Sequence, residues 1–261
     1  MKILVGCDPE LFVKKDGVLV SAHGLVQGSK EHPFRVSKGA VQVDGMALEF
    51  NIDPAEDENQ FYLNIVDVMQ ALKAMCPEHE FAIQPVAEFG AEYIKAQPEE
   101  AKELGCEPDY DAWTGRVNEK PNMDAPFRTA SGHVHIGWRD PAGISLDHVD
   151  NCRAAAKQMD FFLGLPSLFF DEDTKRRELY GNPGCFRPKP YGAEYRTLSN
   201  AWLRDPSLIR WVFRQVQEGM HRLIAGDCLD QQFGDITKII KTSDKKAALQ
   251  IINQAGIKLA A

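Results

Sequence analysis

The stretch Arg177–Leu203, R-E-L-Y-G-N-P-G-C-F-R-P-K-P-Y-G-A-E-Y-R-T-L-S-N-A-W-L, decides how this chain folds. Its centre, Tyr191 to Leu198, is rich in aromatic and β-branched residues and predicts a short strand. Side chains alternate along a strand, so Glu194, Arg196 and Leu198 share one face, and Tyr195 and Thr197 the other. A carboxylate and a guanidinium then stand about 7 Å apart on one surface. Arg187 lies just upstream, on a segment broken by Gly181, Pro183, Gly184, Pro188 and Pro190. Two arginines and a glutamate gathered this way suit a site that holds a metal and a phosphate together. An ordinary ion pair on a surface strand is the rival reading.

Working outward, Thr129–Trp138 (T-A-S-G-H-V-H-I-G-W) predicts a second strand. Period two puts His133 and His135 on one face and Val134 and Ile136 on the other. Such a pair either aims two imidazoles at one point or makes structural hydrogen bonds. A third strand runs from Ile3 to Val13, with Asp8, Glu10 and Phe12 on one face and Leu11 and Val13 on the other. Pro9 places its middle on an edge or at a bulge. Lys15-Asp16-Gly17 turns the chain into a return strand, Val18 to Val20. Gly24 to Gly39 reads as a loop. Ala40 to Ile52 is a hairpin turning at Asp44-Gly45, with Leu48, Phe50 and Ile52 opposite Ala47, Glu49 and Asn51. Phe81 to Val86 predicts one more strand.

Helical spacing of Phe61, Ile65, Val68 and Leu72 predicts a helix over Asn59–Met75. Another is expected from Leu146 to Leu163, with Val149, Cys152, Ala156 and Met159 inward. The apolar run Leu163 to Phe170 should be buried, and the charged run Asp171 to Glu178 solvated. Asp205 before Pro206 marks a helix start. Ile236 to Ile240 adds a turn or two, and Ser243 caps a last helix, Asp244 to Gln254, closed by Gly256. The expected organisation is a single domain over 1–261. Within it, 97–128 is a variable loop or lid containing Asp109, Asp111 and Trp113, and 204–261 supplies C-terminal helices.

Composition narrows the function classes. Of 261 residues, 44% are apolar and 26% charged, ordinary for a soluble globular protein. A net charge of -8 argues against a dominant nucleic-acid surface. No run reaches the ~20 apolar residues of a membrane span, and Met1 to Val5 enters a strand pattern at once, without a signal-peptide core. The six cysteines, Cys7, Cys76, Cys106, Cys152, Cys185 and Cys228, form no C-x-x-C pair. Reduced thiols and a cytoplasmic location are expected.

The strands obey one rule: apolar on one face, and on the other Asp8 with Glu10, then Glu49, then His133 with His135, then Glu194 with Arg196. Antiparallel hairpins with helices on their apolar face make an α+β fold whose opposite face is a polar concavity. Carboxylates gathered there repel one another and raise each other's pKa values. A divalent cation removes that conflict, and oxygen ligands with one or two imidazoles suit Mg²⁺ or Mn²⁺. Zinc would call for the cysteines, whose spacing keeps them apart.

Five pieces, in order, carry a resemblance: Gly6-Cys7-Asp8-Pro9-Glu10-Leu11-Phe12; Asp44-Gly45-Met46-Ala47-Leu48-Glu49-Phe50-Asn51; Ser131-Gly132-His133-Val134-His135-Ile136-Gly137; Tyr180-Gly181 through Gly184 to Arg187; and Tyr191-Gly192-Ala193-Glu194-Tyr195-Arg196. Together they resemble the carboxylate–amine ligases of the glutamine synthetase and glutamate–cysteine ligase superfamily, and among these the phage-encoded COOH–NH2 ligase type 2 group. The resemblance implies an antiparallel sheet curved into a funnel, glutamine synthetase-like, with helices on its outer face, binding ATP and Mg²⁺ or Mn²⁺. It implies that Glu10, Glu49, His133 and Glu194 ligate metal, with His135 contributing there or to the nucleotide, and Asp8 one step behind. Arg187 and Arg196 would hold the γ-phosphate and the substrate carboxylate, acting with Glu194 in catalysis.

The implied reaction joins a carboxylate to an amine through an acyl phosphate. Asp109 or Asp111 is the expected acceptor of the amine proton. Small-molecule or peptide substrates are implied, with nucleic acid only as a modified-base substrate, no membrane partner, and oligomeric state open. Two rivals stand beside it: a guanidino-kinase-like phosphotransferase, and a non-catalytic phage or scaffold protein retaining the fold.

Overall fold

In the computed structural model, which describes residues 2–102, 109–119, 125–138 and 147–260, the longest strand takes the centre of a large sheet. The strands are β1 (Ile3–Lys15), β2 (Val18–Val20), β3 (Phe34–Val36), β4 (Gly39–Asp44), β5 (Ala47–Ile52), β6 (Glu80–Ala82), β7 (Val86–Glu88), β8 (Tyr110–Asp111), β9 (Phe127–Thr129), β10 (Gly132–Trp138), β11 (Cys185–Lys189) and β12 (Gly192–Tyr195). Ten form one sheet in the order β3-β4-β5-β1-β10-β12-β11-β8, with β2 and β6 also paired to β1, while β7 and β9 pair separately. Every pairing is antiparallel. β3 and β8 are the two ends of the large sheet's path.

Pro9 does not mark an edge. It is the last residue of β1 opposite β10, facing Gly132, and pairing with β5 begins at Glu10. A residue without an N–H thus sits where the central strand changes partners, which the sheet tolerates. The expected hairpins form: Asp16 and Gly17 turn β1 into β2 with positive φ, and Gly45 does the same between β4 and β5.

Three helices cover the apolar face. Glu58–Met75, capped by Asp57, lies under β4 and β5; His148–Met159 lies under β11 and β12; Pro206–Ile224 contacts both helices. Leu11, Leu48, Phe50, Val134 and Ile136 meet Phe61, Met159, Val212 and Val216 in a continuous core. Burying each such side chain is worth about 1.5–3 kcal/mol. A second apolar cluster forms where Phe161, Leu165 and Leu168 pack on the C-terminal helices through Leu229, Ile240 and Ile252.

Several expectations need correction. The loop over 24–39 contains β3, whose three residues, Phe34-Arg35-Val36, are too few to show a period. The strand expected over 81–86 is two, β6 and β7, separated before Pro85. Val149 is 54% exposed rather than inward. The last helix is capped by Asp244, which accepts from the Ala247 N–H, rather than by Ser243. The charged run 171–178 is partly buried: Asp171, Arg176 and Arg177 are inside, bonded to backbone and hydroxyl groups. Within 97–128 lie the short helix Glu99–Lys102 and β8, which pairs with β11 at the sheet end. Residues 103–108 and 120–124 of that segment, Cys106 included, and the expected helix start at Leu146 lie outside the described residues. The five cysteines among the described residues are all free. No helix there is long and apolar enough to cross a membrane.

Candidate functional site

Register alone assembles the polar face. In an antiparallel sheet, residues directly opposite each other point the same way. Asp8 faces His133, Gly6 faces His135, Glu10 faces Glu49, and Glu194 is flanked by His135 on one side and Arg187 on the other. Strands distant in sequence thereby bring their acids, imidazoles and guanidinium groups to one cavity of about 450 Å³, within the ordinary range for small-ligand sites. Asp8, Glu10, Glu49, His133, His135, Arg187 and Arg196 line it, with Leu4, Gly137 and Tyr191 at its apolar end.

Glu194 is fully buried and does not line the cavity itself. Its Oε1 contacts Arg196 Nη1, and its Oε2 lies 3.0 Å from Lys189 Nζ and 3.3 Å from Arg187 Nη1. Burial and the Asp8 charge work to raise its pKa, but Arg196 and both imidazoles outweigh them and hold it down at about 2. Arg196 is fixed from every side: Nε donates to Asp109 Oδ2 at 3.0 Å, Nη2 to the Tyr180 hydroxyl, and Nη1 to Glu194. Behind it, the buried Arg176 donates to the carbonyls of Thr197 and Arg196, at 2.6 and 3.2 Å. Gly181 leaves room for this, since a Cβ there would lie 2.1 Å from Arg176 Nη1.

Asp8 and His135 form the cluster's centre. His135 Nε2 lies 2.9 Å from Asp8 Oδ1, yet neither of these buried atoms makes a hydrogen bond among the described residues. Ligand atoms of Asp8, His135 and Glu194 all lie within 4.8 Å of one another. Two orphaned atoms, one anionic and one imidazole, beside a third carboxylate fit a shared divalent cation. Although burial opposes charge on His135, Asp8 and Glu194 hold its pKa above the ordinary value. His133 is the reverse: burial and Arg196 push it down to about 4, leaving a neutral ring. Its Nδ1 stands 3.5 Å from Asp8 and 3.6 Å from Glu194, and its buried Nε2 has no hydrogen-bond partner among the described residues.

Glu10 and Glu49 form a second acidic pair. Glu10 accepts from the Ser131 N–H at 2.8 Å, and Glu49 accepts from Gln42 Nε2 at 2.6 Å. Burial, then the Asp44 charge, pushes Glu10 up to about 7. Burial, with Asp8, Asp44 and Glu10 nearby, pushes Glu49 well above the carboxylate range.

Of the residues the sequence singles out, the structure brings Asp8, Glu10, Glu49, His133, His135, Arg187 and Arg196 to this cavity with Glu194 behind them, but sorts them differently. The candidate ligand atoms that lie within 4.8 Å of one another belong to Asp8, His135 and Glu194, while Glu10 and Glu49 pair separately and His133 stands 3.5 Å from Asp8. Asp8 moves to the front because the β1–β10 register sets it beside both imidazoles. Asp109 and Asp111 are not open proton acceptors. Asp109 binds Arg196 and Asn118, and Asp111 accepts from the Trp113 and Thr114 amides and the Thr114 hydroxyl. Sequence reasoning missed Lys189, although it stands two residues from Arg187 on the same strand. It also missed Arg176, hidden in a run read as solvated.

The fold and the cavity define a mixed α/β protein with a large antiparallel sheet and an acid-, imidazole- and guanidinium-lined cup on its open face. Residues 126–230 match the model of a family described as phage phiEco32-like COOH.NH2 ligase-type 2. The matched span holds His133, His135, Arg187, Lys189, Glu194 and Arg196, while Asp8, Glu10 and Glu49 lie outside it. No curated protein sequence matches. A solved structure described as a novel glutamine synthase homolog is similar at 11% identity and a TM-score of 0.37, covering 97% of this chain. The chain spans 66% of the length of that structure's chain, just under two thirds.

Proposed function

We propose that this chain is an ATP-dependent carboxylate–amine ligase, working through an acyl phosphate in a cup shaped as the wall of a glutamine synthetase-like funnel. The observation that carries the reading is the meeting of the orphaned Asp8 and His135 atoms with Glu194, next to Arg187, Lys189 and Arg196. The ligase named in the description of the family matching 126–230 supports the reaction class.

Asp8, His135 and Glu194 would hold one Mg²⁺ or Mn²⁺, and Glu10 with Glu49 a second. Bound there, a divalent cation neutralises charge on phosphoryl oxygens. Arg187 and Lys189, side by side on β11, would turn from Glu194 toward the γ-phosphoryl group. Arg196, clamped by Asp109 and Tyr180, would stabilise the charge that develops in transfer. The substrate carboxylate oxygen takes the γ-phosphoryl group and ADP leaves. The amine nitrogen then bonds to the acyl carbon, the acyl C–O bond breaks, and the departing phosphate carries off the nitrogen's proton. No protein nucleophile takes part.

Incubation with ATP, Mg²⁺ and a panel of carboxylic acids and amines tests the proposal by mass spectrometry. The expected yield is ADP, free phosphate and one product equal to a substrate pair less water. A phosphorylated product without free phosphate would mean a phosphotransferase, and an unconsumed panel with intact ATP would remove the ligase reading.

A further inference from the structure

The geometry points to Tyr191 as a positioning residue that holds the His135 ring with its proton on Nδ1 and its Nε2 lone pair free; this rests on the metal-binding reading of the cup. Tyr191 sits in the two-residue connection between β11 and β12. That connection is fixed in place. The Tyr191 carbonyl accepts from the Trp138 N–H at 3.0 Å. Gly192, at φ 154°, approaches β10 so closely that a Cβ would lie 2.0 Å from the Ile136 carbonyl oxygen. From this anchor the Tyr191 ring lies alongside His135, centroids 6.0 Å apart at 28°, and its hydroxyl meets His135 Nδ1.

The other nitrogen decides the tautomer. Nε2 is 2.9 Å from Asp8 Oδ1 but out of line for a hydrogen bond, so a proton there would be a buried donor with no acceptor. A proton on Nδ1 is accepted by the Tyr191 oxygen instead. Tyr191 is 44% exposed, which lets its own hydroxyl hydrogen point to water. Nε2 then keeps its lone pair beside Asp8, and ligand atoms of Asp8, His135 and Glu194 lie within 4.8 Å of one another. Metal-ligating histidines are commonly fixed in this way, by donating the other ring N–H, and loss of the acceptor weakens metal binding about 10- to 100-fold.

Imidazole ¹⁵N NMR of the metal-free wild type and Tyr191→Phe, in alkaline buffer where the ring is neutral, tests the assignment. His135 should be protonated on Nδ1 in the wild type and shift toward the Nε2–H form in the variant. Titration with Mn²⁺ alone should show a Kd raised about tenfold by the substitution. An Nε2–H wild type, or a tautomer unchanged in Tyr191→Phe, overturns the role given to Tyr191. The wild-type spectrum decides this even if the variant fails to fold. If neither protein takes up Mn²⁺, the metal reading of the cup falls, while the tautomer still settles the part played by Tyr191.

Discussion

Glu49 stands opposite Glu10 with Asp44 and Asp8 near, and its raised pKa reports that crowding. On the proposed metal-binding reading, function and stability therefore conflict at this residue. Glu49→Gln should stabilise the metal-free protein by about 1 kcal/mol, which for a chain of this size raises Tm by about 2–4 °C. The same substitution should lower ATP turnover roughly 100-fold or more, because a lost cation site forfeits several kcal/mol of charge stabilisation. Paired thermal melts and turnover assays check both; a variant less stable than wild type would mean Glu49 is held by attractive contacts alone. Glu194 behaves differently. Removing this buried carboxylate leaves Arg196 with Asp109 as its remaining anionic partner, so Glu194→Ala should cost about 1–3 kcal/mol as well as activity, measured by denaturant unfolding. Residue types at the site were legible from period two alone, which set Glu194 with Arg196 and His133 with His135. Their division into ligands and supports was not. That depends on the Asp8–His133 register across strands more than a hundred residues apart.

Among the elements, β10 depends on its first residue. Gly132 packs where a Cβ would lie 2.2 Å from the Ser199 carbonyl oxygen and 2.4 Å from Trp202 Nε1. Gly132→Ala must push β10 away from its neighbours beside His133, and should cost about 1–3 kcal/mol together with a loss of turnover. Asp205→Ala provides the contrast. It removes the cap whose side chain accepts from Ser207 N–H at 2.6 Å, at the start of Pro206–Ile224 on the far side of the sheet. A loss of about 1 kcal/mol with turnover unchanged is expected in denaturant titration. Long periodic elements such as Glu58–Met75 and Pro206–Ile224 were readable because repeated apolar spacing and a cap agree. β3 and β8 were not, since strands of two or three residues hold no period and owe their form to a neighbouring strand. The buried Arg176 was hidden for another reason: composition says how often a charge is solvated, not whether backbone carbonyls will receive it.

Across the whole molecule, Asp160 ties three parts together. It sits where the helix His148–Met159 loosens into a wider turn, and accepts from Trp113 Nε1 at 2.6 Å after β8 and from the Tyr195 hydroxyl at 2.7 Å under β12. Burial pushes its pKa up to about 6 from 3.8. The folded protein therefore keeps a proton that the unfolded chain has shed, and this contribution to stability declines as pH rises from about 4 to 6. The decline amounts to roughly 3 kcal/mol. Asp160→Asn should flatten it, as read by denaturant unfolding at either end of that window. An unchanged slope would place the titration elsewhere.

The central claim, that acids and an imidazole from separate strands jointly hold a divalent cation, is tested most directly by anomalous scattering from crystals soaked in Mn²⁺. The account predicts a peak enclosed by Asp8, His135 and Glu194. A cup with no peak, or one bound only at surface carboxylates, contradicts it.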